Sequence, residues 1–449
     1  MSDLYDIVPQ KFYLLSPKKR SLIDFSSADH AFAKKVDNLF DNIKKEIGGN
    51  IHAVYRFEPN MLDAIYQFSE ENKKEYPFVQ QLPKYFKGFD EGDYFIRQKS
   101  DVPLIDLKRA ILETESRSRE LDIKKQDDWF VMHWGKLYLS FDTYSYGFLT
   151  DKVYVGKKDR DKRICRFCKG TGSNRYKNIS YALQEGLGNH LLFANEECDE
   201  CNNLFSNMVE RPLFTFLETN RNLSQVKGKG KHLFHQEGLN FHIHPDAIEQ
   251  IPIVYVMQEH IINACFHNQP TGKIILYNKP AITFQGIYKA LIKFAIDMIP
   301  AERICHFNEV GEWVHGDYNF KSLPPFLYGE HNSFFEQPIL DLFFRKENNT
   351  NNIPYCTAVV YIFSSVFILV VPSIDKDNIE HLASKDIASH YDKFKRLCYL
   401  HVQEWAEYNS NDVLERAADY KVSVIGVEGK YKVEYRPSTD EVFKILRNN

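Results

Sequence analysis

The sequence predicts an α+β multidomain protein in which a central strand, loop, strand and helix unit lies between N- and C-terminal α/β domains. Three observations predict it. Residues 165–201 hold two C-x-x-C pairs, helix-spaced and strand-alternating apolar residues interleave on both sides of them, and 449 residues are more than one hydrophobic core usually organises. The boundaries read from the pattern are 1–155, 156–235 and 236–449.

In the N-terminal part, Phe32, Val36, Leu39, Phe40, Ile43 and Ile47 recur at helical spacing. Ser26 or Ser27 can cap that helix, and Gly48-Gly49 stops it. Ile51, Ala53, Tyr55 and Phe57 alternate as in a strand, after which Met61 to Phe68 returns to helical spacing. Leu104, Leu107, Ile111 and Leu112 mark another helix. Trp129 to Trp134 and Leu137, Leu139 and Phe141 read as a hairpin turning near Gly135. Asp90, Glu91 and Asp93 read as an acidic turn. No chemistry stands out here, and position alone suggests recognition or regulation.

The central unit is more specific. Cys165 and Cys168 form one pair, Cys198 and Cys201 the other, and the 29 residues between the pairs are long enough for a hairpin. Two residues between thiolates let both sulfurs turn onto one ion, which suits a tetrahedral four-cysteine zinc site; two pairs of buried thiols are the other reading. Tyr176, Ile179 and Tyr181 suggest an extended run, Gly186 and Gly188 a turn, and His190 to Ala194 a returning strand. A helix then starts near Cys198-Asp199 and carries Leu204, Phe205, Met208 and Val209 on one face. Pro212 should break it before a second short helix over Leu213, Phe216 and Leu217.

Ser180-Tyr181-Ala182-Leu183-Gln184-Glu185-Gly186-Leu187-Gly188-Asn189, followed by Glu197-Cys198-Asp199-Glu200-Cys201-Asn202, resembles the HNH endonucleases of the ββα-metal class, in the branch with zinc-binding cysteine pairs. The resemblance covers residues 164–218 and extends more weakly to Tyr288-Lys289-Ala290-Leu291-Ile292-Lys293-Phe294-Ala295. It implies a central ββα-metal domain that cuts nucleic-acid phosphodiesters, with structural Zn²⁺ on Cys165, Cys168, Cys198 and Cys201 and a catalytic Mg²⁺ or Mn²⁺. It further implies a loop-steadying role for Asn189 and a metal-side role for Asn202. Tyr181 stands where the family has its general-base histidine. A phenol near pKa 10 is harder to deprotonate than an imidazole near 6.5 by about 4.8 kcal/mol. The position therefore admits an inactive site, a base supplied by His190, or a Tyr181 acidified by metal and phosphate. The partner implied is nucleic acid, double-stranded DNA foremost, in a setting of antiphage defence; a degenerate unit that binds nucleic acid or a partner protein, or that forms a homo-oligomer, is the alternative.

A formal net charge of −4 means that DNA binding has to rest on local basic surface. Lys157, Lys158, Arg160, Lys162 and Arg163 precede the motif, and Lys227, Lys229 and Lys231 follow it. Beyond them, Phe241-His242-Ile243-His244 and Ile251 to Met257 read as strands, and the H-x-H pair can ligate metal given a nearby partner. Ile287, Leu291, Phe294, Ala295 and Met298 form an amphipathic helix ended by Pro300. Tyr355 to Val371 reads as a buried hairpin turning at Ser364-Ser365, Ile379 to Trp405 as mainly helical, and Lys421 to Arg436 as a hairpin turning at Glu428-Gly429. Asn348 to Asn352 is a polar loop. Cys265, Cys305, Cys356 and Cys398 are scattered among apolar neighbours and read as reduced buried thiols. No secretory signal or membrane-length apolar run is visible, so a cytoplasmic location is expected. Neither a P-loop, a dinucleotide fingerprint, H-E-x-x-H nor G-x-S-x-G occurs.

Overall fold

Apolar residues one helical turn apart build the first core. The structure, a computed structural model, describes residues 11–16, 19–24, 29–41, 52–87, 94–98, 122–147, 152–223, 235–238, 241–245, 252–256, 271–276, 282–316, 323–346, 353–382, 387–395, 402–408, 413–414, 420–427, 430–435 and 445–446, with residues 89, 91, 93, 108, 226 and 320. Two compact units divide the chain, 1–139 with 148–151 and 140–147 with 152–449.

In the first unit, strands β1 (Lys11–Ser16) and β2 (Lys19–Asp24) precede helix α1 (His30–Asp41). Strand β3 (His52–Arg56), helices α2 (Pro59–Asn72) and α3 (Leu82–Phe86) and strand β4 (Tyr94–Gln98) follow, and the sheet order is β2-β1-β4-β3, antiparallel throughout. Phe32, Val36 and Phe40 of α1 pack with Tyr55, Ile65, Phe86 and Phe95. The cap of α1 is Asp29, not Ser26 or Ser27. Its carboxylate accepts from the backbone N–H of Ala31 and Phe32 at 2.8 and 3.1 Å, and an ionised acceptor is the stronger cap at the positive end of a helix.

The expected hairpin over 129–141 is helical instead. Helix α4 (Ile123–Phe130), capped by Asp122, runs through a π turn (Val131–Gly135) into α5 (Lys136–Ser140). Phe130, Trp134 and Leu137 are buried at helical spacing while Leu139 is 81% exposed, so period-2 alternation was the wrong rhythm for this run. The helix predicted over 104–112 and the polar loop at 348–352 lie outside the described residues, Lys108 excepted.

The second unit begins with β5 (Phe141–Tyr146) and β6 (Val153–Val155). Then come β7 (Ser180–Tyr181), β8 (Leu192–Ala194), and helices α6 (Asp199–Leu204) and α7 (Arg211–Leu223), joined by a π turn at Phe205–Val209. Strands β6 and β7 flank β8, parallel and antiparallel respectively. The helix start at Asp199 matches the sequence reading. Pro212 falls in the first turn of α7, where its missing N–H costs nothing, so α7 is longer than predicted. The π turn shifts the helical face, and Met208, predicted inward, is 69% exposed.

Strands β9 (Gln236–Glu237), β10 (Phe241–Pro245) and β11 (Pro252–Val256) form a sheet in the order β11-β10-β9. Strands β12 (Thr271–Leu276) and β13 (Ile282–Thr283) lead into helix α8 (Phe284–Met298), which is buried on nearly every side, and helix α9 (Asn308–His315) follows.

Two long strands, β14 (Phe326–Arg345) and β15 (Cys356–Val371), pair antiparallel, with β5 and β16 (Val402–Tyr408) on the other edge of β14. Residues 356–371 are thus one strand, not a hairpin. At the expected turn, Phe363 takes φ +57° in a register irregularity, and Asn220 donates to the hydroxyls of Ser364 and Ser365 at 3.0 and 3.3 Å, which keeps both serines buried inside the strand. Helix α10 (Ile387–Lys395) packs beside β15; of the segment expected to be mainly helical, the described residues are helical at 379–382 and 387–395 and extended from 402. Strand β17 (Val413–Leu414) pairs with β13; β18 (Tyr420–Val427) and β19 (Lys430–Tyr435) form the predicted last hairpin, with β12 and β20 (Ile445–Leu446) on its edges.

One hydrophobic core runs from Cys165 through Leu217 and α8 to Val371, crossing residue 235 without interruption. Among the described residues no helix is long and apolar enough to cross a membrane. His390 on α10 lies in this unit at 5% exposure, with Nε2 2.8 Å from the Thr357 hydroxyl. Burial, aided by the charge of Lys393, pulls its pKa down to about 3. Between that value and the unfolded value near 6.5, the unfolded chain binds the extra proton, so stability falls as pH falls. A His390→Gln variant, which keeps partners for Thr357, should remove about 1.4 kcal/mol of stability loss per pH unit in that window. Urea unfolding of parent and variant at stepped pH measures the difference.

Candidate metal centre

The first cysteine pair sits on a tight knuckle. The Cys165 N–H donates to Gly170 O at 2.9 Å, the Lys169 N–H to Cys165 O at 3.1 Å, and Lys169 takes φ +57° to close the turn. Cys198 occupies the cap position of α6, and Cys201 lies in its first turn. The four Sγ atoms fall within 4.8 Å of one another. Cys165 and Cys201 are 3.7 Å apart, Cys168 and Cys198 3.6 Å. Thiolates 2.3 Å from a tetrahedral zinc would lie about 3.8 Å apart, so the sulfurs fit such an ion.

The thiols also perturb one another. The contact with Cys198 pushes Cys165 up to about 12, whereas the contacts with Cys165 and Cys201 push Cys198 down. Four thiolates at this separation need a cation among them. Arg175 adds outer support. Its Nη2 donates to Cys168 Sγ at 3.6 Å, to Cys198 Sγ at 3.8 Å and to Glu200 at 2.5 Å. A Cβ on residue 170 would meet the Arg175 guanidinium carbon at 2.6 Å, so a side chain there would displace the guanidinium. Asp199 accepts from the N–H groups of Lys177 and Asn178, so the chain between the pairs is tied to the start of α6.

Two buried cations, neither singled out by the sequence, join this centre to the rest of the unit. Arg166, between the first two cysteines, donates to the carbonyls of Ile296, Asp297 and Ile299 at 2.6, 3.1 and 2.6 Å and pairs with Glu196 at 3.2 Å. It thereby satisfies the last carbonyls of α8 at the negative end of that helix. Gly311 of α9 lets the Arg166 backbone approach, since a Cβ there would lie 2.9 Å from the Arg166 carbonyl oxygen.

Lys293, 1% exposed, lies 2.9 Å from Glu197, 3.0 Å from Asp297 and 3.1 Å from Glu210, and donates to the carbonyls of Tyr181 and Ala182 at 3.3 and 3.2 Å. Burial pulls the pKa of Lys293 down, but the three carboxylates outweigh it and raise the value well above the usual range. Burial in turn raises Glu197 and Asp297, against the pull of Lys293. The readable signal was a lysine and an aspartate four residues apart on the apolar face of a mainly apolar helix.

The other predicted residues divide by environment. Asn189 is fully buried: its amide donates to Leu183 O and Leu192 O at 2.8 and 2.9 Å, and its oxygen accepts from the N–H groups of Leu191 and Leu192 at 3.2 and 2.9 Å. All four of its hydrogen bonds close the loop between β7 and β8. Tyr181 pairs across the sheet with Phe193, as Tyr154 does from the other side, so three aromatic rings share one sheet face with centroids 4.9 and 4.7 Å apart. Burial, then Glu185, push the Tyr181 hydroxyl above its ordinary pKa. His190 is exposed, with Nδ1 3.8 Å from Glu185. Asn202 lies half-buried in the first turns of α6. It offers one neutral oxygen, and among the described residues the cysteines are the one group of three or more His, Cys, Asp or Glu side chains whose donor atoms already lie within 4.8 Å of one another.

Lys157, Lys158, Arg160 and Lys162 are exposed. Arg163 is half-buried and donates to Lys157 O, Lys158 O and Asn195 Oδ1 at 2.9, 2.9 and 3.2 Å, so its guanidinium holds the loop together. Lys227, Lys229 and Lys231 lie outside the described residues, as do Cys265 and Cys398. Cys356 is buried as predicted, but Cys305 is exposed, because it falls on the outer side of a short 3-10 turn whose Phe307 takes the core position. Comparison with protein-family models, with curated proteins and with solved structures finds no match.

Elemental analysis should find one tightly held divalent ion per chain, lost in a Cys198→Ser variant. Arg175→Ala should weaken chelator-competition affinity about 10–100-fold without changing ligand number. Lys293→Met, which strands three carboxylates, should cost about 3–5 kcal/mol in denaturant unfolding.

Proposed function

We propose that the cysteine-bearing part of the second unit is an HNH-type ββα module that hydrolyses nucleic-acid phosphodiesters, DNA foremost. In this reading the four thiolates hold a structural Zn²⁺, and the setting is cytoplasmic defence against foreign DNA. The observation that carries the reading is Asn189. The motif's loop asparagine is buried and makes four hydrogen bonds that fix the backbone just after Tyr181, between two short strands and beside a helix begun by the second cysteine pair. A loop held this firmly, with Asn202 on the adjoining helix, suits orienting a phosphate and an attacking water.

Proton removal is where this chain departs from the motif. A Tyr181 hydroxyl raised above its ordinary pKa is protonated at neutral pH and can orient a water without taking its proton. His190, beside Glu185, is the other candidate base. A catalytically silent module that binds nucleic acid or a partner protein is therefore the second reading, favoured by the packing of Tyr181 against Phe193.

The experiment is cleavage of plasmid DNA and of RNA with Mg²⁺ or Mn²⁺ by the parent, by Tyr181→His and by His190→Ala. The nuclease reading expects the parent to cut, or Tyr181→His to gain cleavage by about 10²–10⁴-fold, the usual contribution of a positioned base. A His190→Ala loss would assign the base to His190. Silence from the parent and from Tyr181→His, with zinc content intact, sinks the nuclease reading and leaves binding.

A further inference from the structure

The H-x-H pair gains a partner in the folded chain. Strand β10 pairs with β9 so that His242 faces Glu237 and Ile243 faces Gln236. Continuing this antiparallel register sets His244 opposite His235. Phe241 and Ile243 are 0% and 1% exposed, so the alternate residues His242 and His244 point to the outer face, where His235 and Glu237 are exposed. Three imidazoles and a carboxylate thus share one face of two strands.

The contact between two of them is close. His235 Nδ1 and His244 Nδ1 are 2.6 Å apart, with ring centroids 4.7 Å apart and planes at 75°; the ring of His242 lies 6.2 Å from that of His244, nearly parallel to it. Two ring nitrogens at this distance cannot both carry a proton, so at least one presents a lone pair to the space between them. Imidazole nitrogens 2.0–2.1 Å from a tetrahedral zinc would stand about 3.3 Å apart, an opening that small side-chain rotations supply. The backbone beneath is anchored. Gln236, between His235 and Glu237, points inward at 7% exposure, donates to Thr219 Oγ1 at 2.8 Å and accepts from Asn222 at 3.1 Å, both on α7.

We propose that His235 and His244 form a second metal site, separate from the cysteines, which takes a borderline divalent transition-metal ion such as Zn²⁺, Ni²⁺ or Cu²⁺, with His242 and Glu237 as further ligands from the same face. Imidazole nitrogens with a carboxylate suit these ions, whereas Mg²⁺ and Ca²⁺ favour all-oxygen sites. The site is independent of whether the cysteine-bearing module cleaves nucleic acid.

The test uses full-length protein with its thiolate site loaded. Equilibrium dialysis against micromolar Zn²⁺, followed by elemental analysis, should give the parent a second equivalent of zinc and a His235→Ala/His244→Ala variant only the first. Retention of the first equivalent and an unchanged circular dichroism spectrum show that the variant is folded; should it not fold, His235→Gln/His244→Gln replaces it. Cu²⁺ added to the parent should give an electron paramagnetic resonance spectrum with nitrogen hyperfine splitting that the double variant lacks, and His242→Ala should weaken binding at least tenfold. A parent that stops at one zinc, or a copper spectrum the same in parent and double variant, overturns the proposal.

Discussion

Four sulfur atoms inside 4.8 Å, three of them buried, form a cluster that could hold a metal ion. As thiolates they would repel one another, and a cation among them would relieve that repulsion. The sulfur cluster is the constraint around which this part of the second unit is arranged. It fixes the knuckle to the cap of α6, which sets where the chain between the pairs must turn and where α7 begins. Arg175 and Asp199 then hold that intervening chain against the helix start, so little of the 29-residue excursion is left to its own conformational preference.

Local chemistry made part of this readable. The cysteine spacing, the helix start at Asp199, the glycine-bounded loop and the apolar spacing of Phe284–Met298 all depend on residues near in sequence, and all stand in the structure. The errors share a different cause. Trp129 to Phe141 is an apolar run whose rhythm fits two periods, and Tyr355 to Val371 one whose serine pair fits a turn or a continuing strand; tertiary neighbours chose in each, through burial of Phe130, Trp134 and Leu137 on one face for the first and Asn220 reaching the Ser364 and Ser365 hydroxyls for the second. A serine pair reads as a turn until something buried satisfies it.

The candidate site divides in the same way. Asn189 could be placed from its motif, and its hydrogen bonds are local. Arg166 and Lys293 could not be placed from a motif, because the backbone carbonyls they satisfy lie over a hundred residues away in the chain. Their neighbourhood also explains the environment of Tyr181. With Ser180 turned inward and Lys293 gripping the carbonyls of Tyr181 and Ala182 from below, the Tyr181 ring is left to the outer face with Phe193 and Tyr154.

Both buried cations use the same device, a positive group that collects backbone carbonyls one element has left unpaired and carboxylates another supplies. Arg166 does so at the end of α8, Lys293 at the end of β7. Lys293 carries three carboxylates to one ammonium, an arrangement that hydrophobic residues of similar volume could replace with no loss of stability. What such residues could not do is fix a strand end by direction as well as by contact. The hairpin, the helix after it and α8 therefore form one body: residues 156–235 taken alone would expose Leu213, Phe216 and Leu217 and leave Glu197 and Glu210 without the ammonium that neutralises them. The motif marks where chemistry is to be sought, but the geometry of that place is set by a helix that the motif does not contain.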